Sequence, residues 1–276
     1  MEIFDVQHPL ILVFGILGNI VSTGVYFAPM PTFVEIWKAK STKGFESLPY
    51  VVSLFSALLW LYYALMKEGN TFLLITINAL GSLVEAVYVI IFIIYATSHA
   101  KKHTCKIVIG TMALWVVICV GSFMLLEGAK RALVVGWLCV GVSICVFAAP
   151  LTILCEVVKT KSVQFMPFPL SCFLTLSAIM WFVYGMLTLD LCVTVPNIVG
   201  FVLGMIQMAL YQYYKERSKV ASYIIHAVSE HTVNIKLSNS EVYPMDSGGR
   251  EDQEHNNDNA GVEVVNLKPH VLMSSS

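Results

Sequence analysis

Charged residues are scarce in this sequence of 276 residues. Asp, Glu, Lys and Arg make up only 13% of it, and their charges nearly cancel to a net charge of −1. About a quarter of the residues of a typical soluble domain are charged, so this composition argues against a soluble protein. No basic patch interleaved with aromatic residues is present either, and no nucleic acid is expected as a partner.

Motifs for metal binding or catalysis are also missing. The seven cysteines form no CxxC pair, have no His at ligand spacing, and lie in or beside apolar segments. We interpret them as small packing residues. No set of nucleophile, base and acid can be assembled within those segments. The sequence therefore predicts that the protein is not an enzyme and holds neither a metal nor a cofactor.

Apolar residues, by contrast, are abundant. They make up 57% of the chain, and the mean hydropathy is +0.74. A helix needs about 20 predominantly apolar residues to cross the hydrocarbon core of a bilayer. The sequence thus predicts an all-α integral membrane protein with the lipid bilayer as a partner. Seven segments meet the length requirement, near residues 8–28, 45–66, 71–95, 105–126, 133–157, 166–187 and 192–214.

Lys and Arg cluster on one side of the predicted membrane. Eleven flank the segments on that side and three on the other, which predicts that the richer side is cytosolic. Seven spans then place the N-terminus outside and the C-terminal tail in the cytosol. Glu2 and Asp5 occupy the place of the basic residues of a cleavable signal, so the first span is expected to remain.

The chain contains an internal repeat. An offset of 121 residues superimposes the first two segments on the fifth and sixth, and the offset becomes 119 in the third and seventh. The fourth segment has no counterpart, so the two halves run in the same direction through the membrane. The fold class predicted is seven transmembrane helices as 3+1+3, two parallel three-helix bundles joined by a linker helix. Identical pairs include Gly15/Gly136, Ser22/Ser143, Val25/Val146, Pro29/Pro150, Ser56/Ser177, Trp60/Trp181, Tyr63/Tyr184 and Asn78/Asn197.

The repeat predicts four regions along the chain. Residues 1–98 form the first three-helix repeat, 99–130 the linker helix and 131–219 the second repeat. The remaining residues, 220–276, are poor in long apolar runs and rich in polar residues. That composition predicts a disordered cytosolic tail.

Each half carries a Trp and an Asn at matching depth. Trp60 lies six residues before the end of the second segment, and Asn78 lies seven after the start of the third. Both therefore lie roughly 10 Å below the outer boundary, as do Trp181 and Asn197 in the second half. An Asn amide can match vicinal hydroxyls, and an indole suits the apolar face of a pyranose. These four residues predict a sugar-binding ring on the pseudo-axis.

A structural interpretation of the same residues is also available. Intramembrane Asn side chains bond neighbouring helices, and Trp side chains form belts at the membrane interface. Symmetric duplication of Trp and Asn at one depth favours binding over this alternative.

Smaller residues are expected to line the same cavity. Val at positions 25 and 146 leaves more room than Leu or Met, which favours a disaccharide. Close packing of helices is the alternative role of such residues. The predicted set comprises Ser22, Val25, Ser56, Ser143, Val146 and Ser177.

Prolines lie toward the cytosolic ends of the predicted helices. Pro29, Pro49 and Pro150 each remove an N–H donor and weaken their helix locally. Such weak points are expected to let an inner gate open while the rest of each half moves nearly rigidly. Marking the ends of helices is the alternative role.

Several motifs resemble one family over nearly all of residues 9–215. The segment PYVVSLFSALLWLYYAL, the run TINALG, AAPL at 148–151, TKSVQFMPF at 160–168 and VPNIVG at 195–200 are similar to those of the SWEET (MtN3/saliva) sugar transporters. The resemblance implies that matching Trp and Asn residues form the sugar pocket. The long polar tail is similar to that of plant members, and the chain most resembles the members that carry sucrose.

The same resemblance implies further roles. It adds Pro167 to the inner gate, although Pro169 lies close by, and it assigns Tyr63, Tyr184 and Asp190 to an outer gate. It also implies a homo-oligomer in the plasma membrane.

Glu85 is the one clear carboxylate within a predicted span. Such residues commonly mark proton coupling. Its repeat partner is Gly204, and no acid lies beside the predicted site. We therefore expect uniport down the sugar gradient, with Glu85 as a packing or helix-end group.

Three other classes of seven-helix protein are alternatives to a facilitated sugar transporter. A seven-helix receptor shares the topology, but the repeat, the lack of Asp-Arg-Tyr in the third helix and the lack of Asn-Pro-x-x-Tyr in the seventh oppose it. A PQ-loop amino-acid carrier would need Pro-Gln dipeptides and coupling acids, which are missing. A retinal protein would need a Lys in the seventh helix for its Schiff base, and the predicted seventh helix, 192–214, contains none.

Overall fold

The computed structural model describes the backbone of residues 9–161 and 168–240, and their side chains except at 148–150, 153 and 218–240. The chain divides into two compact units, Met1–Ile224 and Ile225–Ser276. Within the described residues the structure has nine helices: α1 (Pro9–Phe27), α2 (Met30–Ala39), α3 (Leu48–Met66), α4 (Phe72–Tyr95), α5 (Ser98–Leu125), α6 (Gly128–Val146), α7 (Ala148–Thr160), α8 (Phe168–Leu187) and α9 (Leu191–Ser240).

The seven predicted spans are confirmed. Seven stretches of the described chain are long and apolar enough to cross a membrane, with α1 and α2 counted together and α9 counted to Arg217. Large apolar side chains on these helices face outward, such as Ile109 at 69% exposed and Leu125 at 83% exposed on α5. An apolar outer surface is what the hydrocarbon of a bilayer requires.

A proline separates two helices at matching places in the halves. Helix α1 ends at Phe27, close to the predicted end of the first segment, and α2, which the sequence did not predict, begins directly after Pro29. The fifth helix, predicted over 133–157, is instead broken in two, between α6 and α7 and close to Pro150. A proline removes the N–H that would continue the helix ladder. The short helices α2 and α7 end alike, at left-handed Lys40 (φ 52°) and Lys161 (φ 53°). The repeat therefore extends to details of the backbone.

Helix α9 is longer than the sequence predicts. It continues to Ser240, whereas a disordered tail was expected over 220–276. No Gly or Pro occurs between Gly204 and Pro244, so nothing in the local sequence breaks the helix. The rest of the predicted tail, 241–276, lies outside the described residues.

The two halves pack across each other. Helix α1 of the first half contacts α8 of the second, and α3 contacts α6 in the matching way. Glycines allow this close approach: a Cβ on Gly136 would lie 2.7 Å from the ring of Tyr63, and one on Gly15 would lie 3.2 Å from the ring of Tyr184. These two crossings enclose the centre of the bundle. The linker α5 packs outside them, against α3, α4 and α6.

Candidate sugar-binding pocket

A central pocket of about 280 Å³ lies between the two halves. All ten residues that the sequence predicts for substrate binding line it. Eight further residues complete the wall: Tyr26, Ser53, Ala57, Leu74, Ile77, Phe147, Val193 and Pro196. No Asp, Glu, Lys or Arg is among the lining residues, so the pocket suits an uncharged solute.

Each Trp is tied to the opposite half. The indole of Trp60 donates to Ser143 Oγ at 3.1 Å, and the indole of Trp181 donates to Ser22 Oγ at 2.9 Å. Ser22 Oγ also shares a 2.7 Å hydrogen bond with Ser177 Oγ. These bonds fix the edges of the indole rings, since a buried N–H needs a partner. Both indoles also line the pocket, so they lie where a ligand would contact them.

The two Asn side chains are held in matching ways. Asn78 Nδ2 donates to the carbonyl of Leu74 at 2.8 Å, and Asn197 Nδ2 donates to the carbonyl of Val193 at 2.7 Å. Each bond uses one of the two amide hydrogens and orients the side chain. No other hydrogen bond to either amide is formed among the described residues. The carbonyl oxygen and the second N–H of each Asn are therefore free for hydroxyl groups.

Most of the wall residues that sequence reasoning missed follow the same repeat. Tyr26 matches Phe147 at an offset of 121, while Leu74 and Ile77 match Val193 and Pro196 at 119. The repeat could have found these pairs, but their residue types differ between the halves. The predicted residues were found because the same residue type occurs at matching positions of the two halves.

A buried polar cluster closes one end of the pocket, which we call the tyrosine end. Tyr63 stacks edge-on against Trp60, with ring centroids 5.6 Å apart, and its hydroxyl donates to both carboxylate oxygens of Asp190 at 2.9 Å. Lys67 forms an ion pair with the same carboxylate. Asp190 also accepts from the backbone N–H of Cys192 at 3.0 Å, so it caps the start of α9. Sequence reasoning missed Lys67.

Tyr184 has a different partner. Its hydroxyl donates to the backbone carbonyl of Asn70 at 2.9 Å, and among the described residues no hydrogen bond joins this hydroxyl to Asp190. Its ring stacks edge-on against Trp181, with centroids 5.2 Å apart. Tyr63, Tyr184 and Asp190 are each at most 5% exposed, so this layer is sealed in the described conformation.

The opposite end carries the predicted gating prolines, and we call it the proline end. Pro29 lies at the break between α1 and α2, and Pro49 lies in the first turn of α3. Pro150 lies in the first turn of α7. Neither Pro29 nor Pro49 lines the pocket. Pro167 lies outside the described residues.

Glu85 lies in the middle of α4 and not at a helix end. The residue is 5% exposed, and its Oε2 has no hydrogen-bond partner among the described residues. Seven residues separate it from Asn78, so both lie on one face of α4, about 10 Å apart along the axis. The carboxyl is not among the groups that line the pocket.

Fold and site together define a class of protein. Two parallel three-helix repeats enclose a central, uncharged pocket, and one end of that pocket is sealed by a polar layer. This is the architecture of membrane carriers built from parallel repeats.

Comparison with known proteins identifies the family. The model of the family described as "Sugar efflux transporter for intercellular exchange" matches residues 12–100 and 133–219, on either side of most of α5. The chain therefore belongs to this MtN3/SWEET family, as its motifs indicate. The members of that family are described as transporters and not as enzymes.

Individual relatives agree over most of their length. Bidirectional sugar transporter SWEET14 of Arabidopsis thaliana is 50% identical over 244 residues, which are 85% of each chain. Bidirectional sugar transporter N3 of Medicago truncatula is 50% identical over 219 residues, covering 78% of this chain and 80% of the relative. A eukaryotic SWEET transporter of known structure superimposes with a TM-score of 0.72 at 32% identity, covering 75% of this chain and 97% of the other. These relatives do not favour a receptor or an amino-acid carrier.

Proposed function

We propose that this chain carries neutral sugars, sucrose first and hexoses second, in both directions across the membrane by facilitated diffusion. The observation that carries the proposal is the charge-free pocket between the halves, with Trp and Asn duplicated around it. The names of the relatives, bidirectional sugar transporters, support the substrate class.

The binding step follows from the free groups of the pocket. The carbonyl oxygens and N–H groups of Asn78 and Asn197 accept from and donate to sugar hydroxyls. The faces of Trp60 and Trp181 pack on the apolar C–H surface of the sugar rings. Neutral hydrogen bonds are individually weak, so the sugar can also leave.

The transport step requires the two ends to open in turn. We infer that the tyrosine end is the outer gate and that the described conformation is closed to the exterior, a view supported by the buried Tyr63, Tyr184 and Asp190. Opening would break the hydrogen bonds from Tyr63 to Asp190. Proline breaks in the first and fifth spans give the inner gate places to bend.

We further propose a plasma-membrane location, a homo-oligomeric assembly, an external N-terminus and a cytosolic C-terminus. The excess of Lys and Arg at the proline end supports the orientation. Tags at the two termini, probed with antibodies on intact and permeabilised cells, test it. A C-terminal tag that is reached in intact cells contradicts the orientation.

Transport is expected to be independent of a proton gradient, because no acid lines the pocket. Proteoliposomes containing the full chain should take up labelled sucrose equally, within about twofold, with and without an imposed pH gradient. Glu85→Gln should transport as the wild type does. Uptake that strictly requires the gradient contradicts uniport, and uptake of no sugar contradicts the proposed function.

Gly81→Ala should reduce uptake more than the matched change Gly200→Ala. A Cβ on Gly81 would lie 2.3 Å from Cζ of Tyr26, so the ring must shift, and Tyr26 lines the pocket. At Gly200 the nearest atom, Cζ of Phe147, would be 3.4 Å from the new Cβ, which is an ordinary contact. We expect initial uptake of sucrose to fall about tenfold for Gly81→Ala and less than twofold for Gly200→Ala. Equal losses would show that the contact with Tyr26 is not the cause.

A further inference from the structure

The two halves differ at the proline end of the pocket. Ser53 and Tyr26 line the wall on the side of the first half. The repeat partner of Ser53 is Leu174, which does not line the pocket, and the partner of Tyr26 is Phe147, which has no hydroxyl. The first half therefore presents two hydroxyl groups where the second half presents none.

The hydroxyl of Tyr26 lies just below the predicted sugar ring site. Its oxygen would be 2.5 Å from a Cβ on Gly81, so the end of the ring rests against α4 at that glycine. Gly81 follows Asn78 by three residues, close to one helical turn, on the same face of α4. The Tyr26 hydroxyl therefore lies about one helical turn, roughly 5 Å along α4, from Asn78 on the side of the proline end. A sugar bonded to Asn78 would be close to this hydroxyl.

Both hydroxyls are available to a ligand. Three of the five serines that line the pocket, Ser22, Ser143 and Ser177, form side-chain hydrogen bonds within the protein, whereas Ser53 and Ser56 form none among the described residues. Among the described residues, neither Ser53 Oγ nor Tyr26 Oη has a hydrogen-bond partner. Polar groups in an apolar environment are normally paired, so two unpaired hydroxyls on the wall of a pocket point to a solute or water as their partner.

Glu85 adds to the polar character of this side. It follows Gly81 by one turn of α4, and it is buried with an unpartnered oxygen. Its repeat partner Gly204 has no side chain, and the space there is occupied by Thr175, whose Oγ1 would lie 2.0 Å from a Cβ. Toward the proline end, the first half thus carries a buried polar side chain behind the pocket wall where the second half has a glycine.

We propose that Ser53 and Tyr26 form a second, asymmetric subsite that binds the hydroxyl groups of the second ring of a disaccharide. The symmetric Trp and Asn residues hold one ring, and the subsite holds the other against the first half. A disaccharide then binds in one fixed orientation, while a monosaccharide fills only the symmetric part. This inference rests on the proposed function and deepens it by assigning two residues to the choice between disaccharide and monosaccharide.

The test compares the affinity of two sugars for the full-length purified chain. Sucrose and glucose are titrated by calorimetry against the wild type, the double variant Ser53→Ala/Tyr26→Phe and each single variant. A net hydrogen bond contributes about 1 kcal/mol, or roughly a fivefold change in affinity. We expect the double variant to bind sucrose about 10- to 30-fold more weakly and glucose within about twofold of the wild type.

A matched control removes the same two types of hydroxyl outside the pocket. Thr111→Val/Tyr95→Phe should leave both affinities unchanged, because Thr111 bonds carbonyls of its own helix and Tyr95 bonds Lys40. If the double variant is not monodisperse, Ser53→Ala alone must still lower sucrose affinity selectively.

The outcomes separate the two claims. A wild type that binds sugar, with variants that lose both sugars equally or lose neither, overturns the subsite and leaves the proposed function standing. A wild type that binds no sugar overturns both.

Discussion

Asn78→Ala and Asn197→Ala should each reduce sucrose uptake to near background, and the double variant should abolish it. Each Asn offers a carbonyl oxygen and one N–H that the protein does not use. Losing about two hydrogen bonds of roughly 1 kcal/mol each weakens sugar binding about 30-fold. Because the two residues bind the same sugar, the double variant should weaken sugar binding so much that its uptake falls below the detection limit of the assay.

The measurement is initial uptake of labelled sucrose into proteoliposomes at equal protein content. Asn239→Ala, in the second unit of the chain, is the matched control and should transport normally. The truncated side chains release only a bond to the carbonyl of their own helix, so insertion and thermal stability should stay close to the wild type. Normal uptake by either pocket variant would falsify its proposed role, and loss of folding would mean that the Asn is mainly structural.

Asp190→Ala should be the most destabilising single change at the tyrosine end. The carboxylate is 5% exposed, accepts from Tyr63, pairs with Lys67 and caps α9. Removing one partner of a buried ion pair costs about 3 to 5 kcal/mol, and the lower figure applies here because the Lys67 side chain is 24% exposed. We expect the free energy of unfolding to fall by about 3 kcal/mol.

Transport and binding should separate in this variant. The outer gate would no longer close well, so sucrose uptake should fall more than tenfold, while the affinity for sucrose should change less than about threefold because Asp190 does not line the pocket. Asp190→Asn is the matched control: it keeps acceptors for Tyr63 and for the α9 cap and loses only the charge. Since both variants lose the ion pair with Lys67, the asparagine variant should be more stable than the alanine variant by the hydrogen bonds that it keeps, about 1 kcal/mol. An alanine variant as stable as the asparagine variant would show that these hydrogen bonds contribute little.

Much of the architecture could be predicted from the sequence. The seven spans follow from the lengths of apolar runs, because a bilayer accepts only helices of a set length. The duplication of Trp60 and Asn78 as Trp181 and Asn197 marked a ring at one depth, and all four line the pocket. The break in the fifth helix was not predicted, since one helix was expected over 133–157 and only the structure separates α6 from α7 near Pro150.

Contacts between distant residues could not be predicted. Trp181 bonds Ser22, 159 residues away, and Lys67 pairs with Asp190 across the two halves. The polar composition of residues 220–276 predicted disorder, yet α9 continues to Ser240, because no Gly or Pro interrupts this part of the chain. Residue identity and polarity indicated neither the contacts between distant residues nor the length of α9.

The sequence by itself determined the membrane setting, the repeat and the residues the halves share, because apolar length and residue identity are local properties of the chain. Only the tertiary structure decided which polar groups are already engaged and which are free. Ser22, Ser143 and Ser177 hold the two halves together, whereas Ser53 and Tyr26 have no partner among the described residues. The physical reason is that a hydrogen bond exists only where packing brings donor and acceptor to about 3 Å, and that packing joins helices far apart in the chain.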